Sequence, residues 1–277
     1  MGVLKKLNNF YDSYILNIVK KEFPSKRTRV YSSRHFLQYF KLMLNKTSSW
    51  NSLQFIDSYP IDSIYHYKYA NQIFNLWASK DIFKRAYIEL LKNNYFKLNT
   101  ILKSSSINLF IDATYIINKY GIDSIALNPE YRKKKVSKLS IICDGNKNVL
   151  SVIPIKIKTT SFHHEITYVN KSLDNLLVKM PDNVSINLIG DKGYVDENHK
   201  FKNKTTRLIA PKKKNQHVKN TFIEKELLED RFKIENCNAF IKKYDRVMVR
   251  KDKLLINFMG FVFLDLLDFF CKHNHLC

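Results

Sequence analysis

Charged residues recur at helical spacing in the segment from Glu229 to Lys253. At the roughly 100° per residue of an α-helix, one face comprises Arg231, Glu235, Lys242 and Arg246, and the opposite face comprises Ile234, Phe240, Ile241 and Tyr244. A carboxylate can hold a divalent cation while the flanking cations hold phosphates, so this face indicates metal-assisted phosphodiester chemistry. The alternative is an ordinary amphipathic helix with ion pairs on its exposed side.

Two aspartates stand in or beside predicted strands. Asp112 lies in the middle of the apolar run Ile107–Ile117, where a carboxylate is costly unless it meets a cation or a donor. Asp191 follows the run Ser185–Ile189 and is bordered by glycines that allow close approach of a phosphate. If the two strands are neighbours, Asp112, Asp191 and Glu235 converge, and three carboxylates at one point are typical of a site for two divalent ions. Taken singly, Asp112 is equally a buried acceptor and Asp191 a turn residue.

The first hundred residues are predicted to be helical. Helices are predicted over residues 4–23, 33–44, 49–56, 63–77 and 80–93. The two helices joined by the turn at residues 57–60 have the size of a helix-turn-helix, and the second would offer Tyr65, His66, Lys68 and Tyr69 to DNA. Aromatic side chains in helices more often form a core, which is the alternative. We therefore predict a helical, helix-turn-helix-like DNA-binding domain at residues 1–104.

Beyond residue 104 the pattern becomes strand-like. Strands are predicted over residues 107–117, 138–143, 149–157, 185–189 and 206–210, with a helix over 163–180 and another in the segment from Glu229. This order predicts an α/β fold, a mixed sheet with helices on its faces, for a catalytic domain at residues 105–277. The apolar run Leu254–Phe270 contains Asp265 and Asp268, so it favours a buried helix over a membrane span.

The charge of the chain favours a polyanionic partner. Its 47 Lys and Arg outnumber its 25 Asp and Glu, for a formal net charge of +22. Basic runs at residues 132–138, 212–219 and 242–253 can neutralise phosphates without reading base sequence, although solvated loops are the alternative. The residues predicted to contact DNA are Arg231, Lys242, Arg246, Lys134, Lys138, Lys192, Lys212 and Lys213.

The four cysteines show no paired spacing. Together with an N-terminus that lacks the features of a signal peptide, this favours an intracellular protein with reduced thiols. The terminal group Cys271, His273, His275 and Cys277 alternates in a way that does not match the usual spacing of zinc ligands, so a frayed terminus is favoured.

Three blocks of the chain carry a resemblance to a known enzyme class. They are Ile111-Asp112-Ala113-Thr114, Gly190-Asp191-Lys192-Gly193-Tyr194 and Arg231-x3-Glu235-x6-Lys242. Together they resemble the signature of the bacterial-type insertion-sequence transposases, the DDE class with a ribonuclease H-like catalytic domain. The family pattern has a Tyr three residues before the Arg, where this chain has Leu228. The resemblance covers residues 62–260 approximately.

This resemblance implies metal-dependent hydrolysis at the ends of a double-stranded DNA element, followed by attack of the freed 3′ hydroxyl on target DNA. By the same analogy, Asp112, Asp191 and Glu235 bind two Mg²⁺ ions, which Mn²⁺ can replace. Arg231 and Lys242 hold the terminal phosphates, and the N-terminal helices grip the terminal repeats. The family further implies a homodimer or larger synaptic assembly, located with the DNA inside the cell.

Two other classes of protein stay open on the sequence. A ribonuclease H-like nuclease or resolvase would share the three acids but would not join DNA strands. A domesticated DNA-binding protein would need no metal, and the presence of all three acids favours an enzyme over it.

Overall fold

The structure is a computed structural model that describes residues 10–24, 32–45, 50, 67–98, 105–128, 134–155, 165–181, 183–194, 201, 205–212 and 219–276. The chain forms two compact units. The first unit comprises Met1–Leu91, Asn118–Asp123 and Ile241–Cys277, and the second comprises Lys92–Ile117 and Ser124–Phe240.

Nine α-helices occur within the described part of the chain. They are α1 (Asp12–Glu22), α2 (Ser33–Asn45), α3 (Tyr67–Ser79), α4 (Ile82–Leu98), α5 (Val169–Asp174), α6 (Phe222–Glu229), α7 (Phe232–Ile241), α8 (Asp245–Met248) and α9 (Leu255–His273). The predicted second helix is confirmed by α2. The predicted third helix lies outside the described residues. The predicted helix over 163–180 is shorter, because only a 3-10 turn at Glu165–Tyr168 and then α5 form there.

The core of the first unit is built around α9. Fourteen of its residues are buried, and the ring of Phe261 stacks on that of Phe74 in α3 with a centroid distance of 4.2 Å. Gly260 permits this approach, because a Cβ there would lie 3.1 Å from the Phe74 ring and 3.2 Å from Ala78 Cβ. The predicted buried helix is therefore confirmed. No described helix has both the length and the apolar character to cross a membrane.

The division into two units differs from the predicted domain boundary at residue 104. The segment Ile241–Cys277 belongs with the N-terminal helices, because α9 is apolar on nearly all sides and needs helices around it. The short strand β7 (Val249–Arg250) lies in this unit too, where the Lys119 amide donates to the Arg250 carbonyl at 2.9 Å.

The second unit contains a mixed sheet of six strands among its described residues. They are β1 (Ser106–Asn118, whose last residue belongs to the first unit), β2 (Ala126–Asn128), β3 (Lys134–Asp144), β4 (Val149–Ile155), β5 (Ser185–Ile189) and β6 (Thr206–Ile209). The order is β2-β3-β1-β5-β6, with β4 also paired to β3. Strand β3 is antiparallel to β1 and to β4, while β5 is parallel to both β1 and β6. This confirms the predicted α/β class, and only β2 was missed in this unit.

Candidate active site

The structure makes the two strands that carry the aspartates direct neighbours. Strands β1 and β5 pair in parallel, and the last pair in register is Phe110 with Ile189. Asp112 and Asp191 each lie two residues beyond that pair. Asp112 lies within β1 at the point where its pairing with β5 ends, and Asp191 lies in the turn that follows β5. The condition on which the sequence argument depended, that these two strands are neighbours, is therefore met.

The turn after β5 fixes the position of Asp191. Its Oδ1 accepts a hydrogen bond from the Gly193 amide at 2.8 Å, within a 3-10 turn at Lys192–Tyr194. Gly190 permits close packing, because a Cβ there would lie 2.9 Å from the buried Tyr194 ring and 3.3 Å from Ile111 Cγ2. The glycine before the aspartate therefore lets β5 pack against β1 immediately before the acids.

Helix α7 covers the face of the sheet that carries Asp112. Asn238 Nδ2 donates to Asp112 Oδ2 at 2.7 Å, and Lys233 Nζ lies 5.6 Å from the centroid of the Phe110 ring. Cys237 Sγ, buried between these contacts, donates to the Lys147 carbonyl at 3.3 Å. Burial raises the pKa of the neighbouring Cys143 thiol well above its usual value, and Cys237 raises it further, so Cys143 stays a neutral core residue.

Helix α5 lies on the opposite face of the sheet. Ser140 pairs with Ala113, the residue after Asp112, so its side chain is on the other face. The Ser140 and Ser172 hydroxyl oxygens are 2.8 Å apart, and Ser151 Oγ donates to the Ser172 carbonyl at 2.9 Å. Asp112 therefore lies on the face covered by α7, opposite to the face that α5 covers.

Glu235 stands on α7 one turn before Asn238, the residue that contacts Asp112. Three residues of α-helix rise about 4.5 Å and return to nearly the same face. Glu235 Oε1 is bound by Arg231 Nη2 at 2.6 Å, and the two side chains are 52% and 33% exposed. The predicted proximity of Arg231 and Glu235 is confirmed as an i,i+4 ion pair, while a role for Glu235 as a metal ligand stays a prediction.

The chemistry of the donor set fits a hard divalent cation at the aspartates. Mg²⁺ is commonly held by one or two carboxylates together with substrate phosphates, and Asp112 and Asp191 offer such a pair. Asp112 Oδ1 accepts from the Ala113 amide at 2.8 Å and Oδ2 accepts from Asn238, so its orientation is defined. Within the described ranges, no group of three or more His, Cys, Asp or Glu residues is gathered to hold a metal ion.

The charged face predicted for the segment from Glu229 to Lys253 is not continuous. Helix α7 ends at Ile241, and α8 begins only at Asp245 after an extended Tyr244. Lys242 therefore falls beyond the helix that carries Glu235 and is partly buried. Phe240, predicted to share the apolar face with Ile234 and Ile241, is 39% exposed. The buried face of α7 instead carries Ile234, Cys237, Asn238 and Ile241.

Arg246 and Lys138 were wrongly predicted to contact DNA, because both are buried. Arg246 is 2% exposed, and its Nη2 donates to Asp252 Oδ1 at 2.7 Å. Lys138 is 6% exposed, and its ammonium lies 4.9 Å from the centroid of the Tyr115 ring, on the sheet face opposite to Asp112. Buried cations with such partners hold the fold together and present no charge to a phosphate backbone.

The other lysines predicted to contact DNA are placed at the surface where the structure describes them. Lys134, Lys192 and Lys212 are exposed. Lys192 directly follows Asp191, so its charge lies beside the candidate site. Lys213 lies outside the described residues.

Asn238 is the residue that sequence reasoning missed. Its position near Glu235 could have been inferred, because residues three apart in an α-helix are neighbours on the helix surface. Its type gave no signal, since asparagine is an ordinary polar residue in a helix. Only the contact between Nδ2 and Asp112 Oδ2 distinguishes it.

Comparison with known proteins gives one structural similarity. No family model matches the sequence, and no curated protein matches it. The chain is similar to a solved structure described as the cryo-EM structure of a piggyBac transposase synaptic complex with hairpin DNA. That similarity has a TM-score of 0.48 at 10% sequence identity, and it covers 95% of this chain and 72% of that chain.

Proposed function

We propose that the chain is a DNA transposase of the DDE class, which cleaves DNA at the ends of an element and joins the 3′ hydroxyl to target DNA. One observation carries the proposal. Asp112 and Asp191 each lie two residues beyond the last register pair of two neighbouring parallel strands, and the helix that bears Glu235 contacts Asp112 through Asn238. Ligands of α/β sheets often bind beyond the carboxyl ends of parallel strands, and Asp191 lies just beyond the end of β5 in this way.

The sheet supports the same proposal. With β1, β3, β4, β5 and β6 counted as first to fifth, the order is 3-2-1-4-5, and only the second strand is antiparallel to the rest. This is the arrangement of the ribonuclease H-like domain that the resemblance implies. The antiparallel hairpin stands on one side of β1, and the parallel strand that leads to Asp191 stands on the other.

The residues of this edge have separate tasks under the proposal. Asp112 and Asp191, with Glu235, would hold Mg²⁺ ions, which polarise the scissile phosphate and activate the attacking oxygen. Arg231 restrains the Glu235 carboxylate and carries a partly exposed guanidinium suited to a phosphate. Lys192 and the net charge of +22 attract the DNA backbone independently of its sequence. The active form is proposed to be a homodimer or larger assembly that pairs two DNA ends.

The test uses the purified full-length protein and a supercoiled plasmid that carries the gene with its natural flanking DNA. We expect nicking or cleavage in that flanking DNA with Mg²⁺ or Mn²⁺, followed by joining of the new 3′ ends to a second plasmid. Asp112→Asn, Asp191→Asn and Glu235→Gln should each abolish cleavage while DNA binding in a mobility-shift assay is kept.

The matched control is Glu226→Gln, which neutralises an exposed glutamate of α6 outside the site. This variant should cleave like the unaltered protein. Full cleavage by the Asp112 or Asp191 variant would overturn the proposed site. Cleavage that never yields joined strands would indicate a nuclease or resolvase, and DNA binding without any cleavage would indicate a DNA-binding protein.

A further inference from the structure

Asn238 is a buried polar residue with an incomplete set of hydrogen bonds. It is 9% exposed, and its Nδ2 donates to Asp112 Oδ2 at 2.7 Å. Its carbonyl oxygen Oδ1 is buried and accepts no hydrogen bond from the residues that the structure describes. A buried acceptor without a partner destabilises a fold. A leucine, whose side chain has the same number of heavy atoms and the same branching, would carry no acceptor without a partner, so packing alone does not explain the asparagine.

The bond that Asn238 does make joins the two elements of the candidate site. Asp112 Oδ1 accepts from the adjacent Ala113 amide at 2.8 Å, which is a bond within β1. Asn238 holds the other carboxylate oxygen from α7, one turn after Glu235. A carboxylate held at both oxygens by two different elements has a fixed plane, and the helix is fixed relative to the strand.

We infer that Asn238 is a positioning residue for Asp112: it orients the carboxylate that receives a divalent cation and holds the helix of Glu235 in place. The inference rests on the proposed function. Residues that orient metal ligands in this way are needed for affinity almost as much as the ligands themselves, and their loss weakens metal binding or activity about 10- to 100-fold.

The test measures Mn²⁺ binding directly, by isothermal titration and electron paramagnetic resonance, in the full-length protein without DNA. We expect Asn238→Leu to weaken Mn²⁺ binding about 10- to 100-fold in a protein that still unfolds cooperatively in a thermal melt. Plasmid cleavage should need correspondingly more Mn²⁺. Asn238→Ser is the second variant, for use if Asn238→Leu does not fold. Its side chain is smaller than that of asparagine, and its hydroxyl is too short to reach Asp112. It should lose Mn²⁺ affinity to a similar extent.

Asn236→Leu is the matched control, since it makes the same replacement two residues earlier on α7 at a partly exposed site. This control should leave Mn²⁺ affinity unchanged. If the unaltered protein binds Mn²⁺ and cleaves DNA but both Asn238 variants do so equally well, the inference is overturned and the proposed function stands. If the unaltered protein neither binds Mn²⁺ nor cleaves, the proposed function is overturned and the inference falls with it.

Discussion

We expect replacement of Arg246 by methionine to lower the free energy of unfolding by about 3 to 5 kcal/mol, the usual cost of removing one partner from a buried ion pair. The Arg246 and Asp252 side chains are 3% and 6% exposed and are joined at 2.7 Å. The guanidinium carbon also lies 4.8 Å from the centroid of the Phe261 ring. Methionine fills the space but leaves the Asp252 carboxylate buried without its cation.

The loss should depend on pH, because Asp252 can take up a proton. Burial already raises the pKa of Asp252 above its ordinary value, against the lowering effect of Arg246. Without Arg246 that pKa rises further. A carboxyl whose folded pKa exceeds its unfolded pKa destabilises the fold increasingly as pH rises through that window. The loss of unfolding free energy in Arg246→Met should therefore be smaller at about pH 5 than at about pH 8.

Thermal and urea unfolding at the two pH values measure the effect. A loss of this size lowers the melting temperature by roughly 6 to 20 °C in a chain of this length. Arg246→Met with Asp252→Leu should recover most of the loss, since an apolar pair can replace a buried ion pair at little cost. Lys212→Met, at an exposed position, is the control. If Arg246→Met melts like the unaltered protein and loses DNA affinity instead, Arg246 is not the buried partner of Asp252 in solution.

Two further predictions concern the first unit. Burial, with the charge of Asp268 adding to it, raises the pKa of Asp265 well above its usual value, so the fold loses stability as pH rises above the ordinary Asp range. Asp265→Asn should therefore stabilise the protein more at about pH 8 than at about pH 5 in urea unfolding, and an equal gain at both would refute this. Gly121→Ala should cost about 1 to 3 kcal/mol or more, because its Cβ would lie 2.5 Å from Arg250 Nε. A Cβ added at Gly145 would have no heavy atom within 4 Å, so Gly145→Ala should melt like the unaltered protein. Equal losses of stability in the two variants would contradict this prediction.

The strands and the two aspartates were predictable because their signals are local. A continuous apolar run of strand length must be buried on both faces, which favours a parallel position in the sheet. The run at residues 107–117 became β1, and the run at 185–189 became β5. Once two such strands are adjacent and parallel, acids at equivalent positions after them must share one edge. The adjacency of the two strands was only a condition on the sequence, and the structure supplies it.

The burial of Arg246 was not predictable, because a count at helical spacing assumes an unbroken helix. Tyr244 has an extended backbone, with φ −91° and ψ 129°. Angles counted from Arg231 therefore lose their meaning beyond Ile241. The spacing of residues in the sequence also does not show whether a charged side chain will be buried in an ion pair. Arg246 is buried in such a pair with Asp252. The pairing depends on tertiary packing, which no local period encodes.

The place of α9 in the first unit sets the order in which the protein can fold during synthesis. The second unit ends at Phe240, whereas the first needs α9 from the end of the chain to cover α3. At 5–20 residues per second, about 10 to 40 s separate the synthesis of Leu91 from that of the last helix. For that time the apolar sides of the N-terminal helices have no α9 to pack against. Slower translation or scarce chaperones should thus reduce the yield of folded protein. The cause should be misfolding of the first unit and not of the sheet that bears the aspartates.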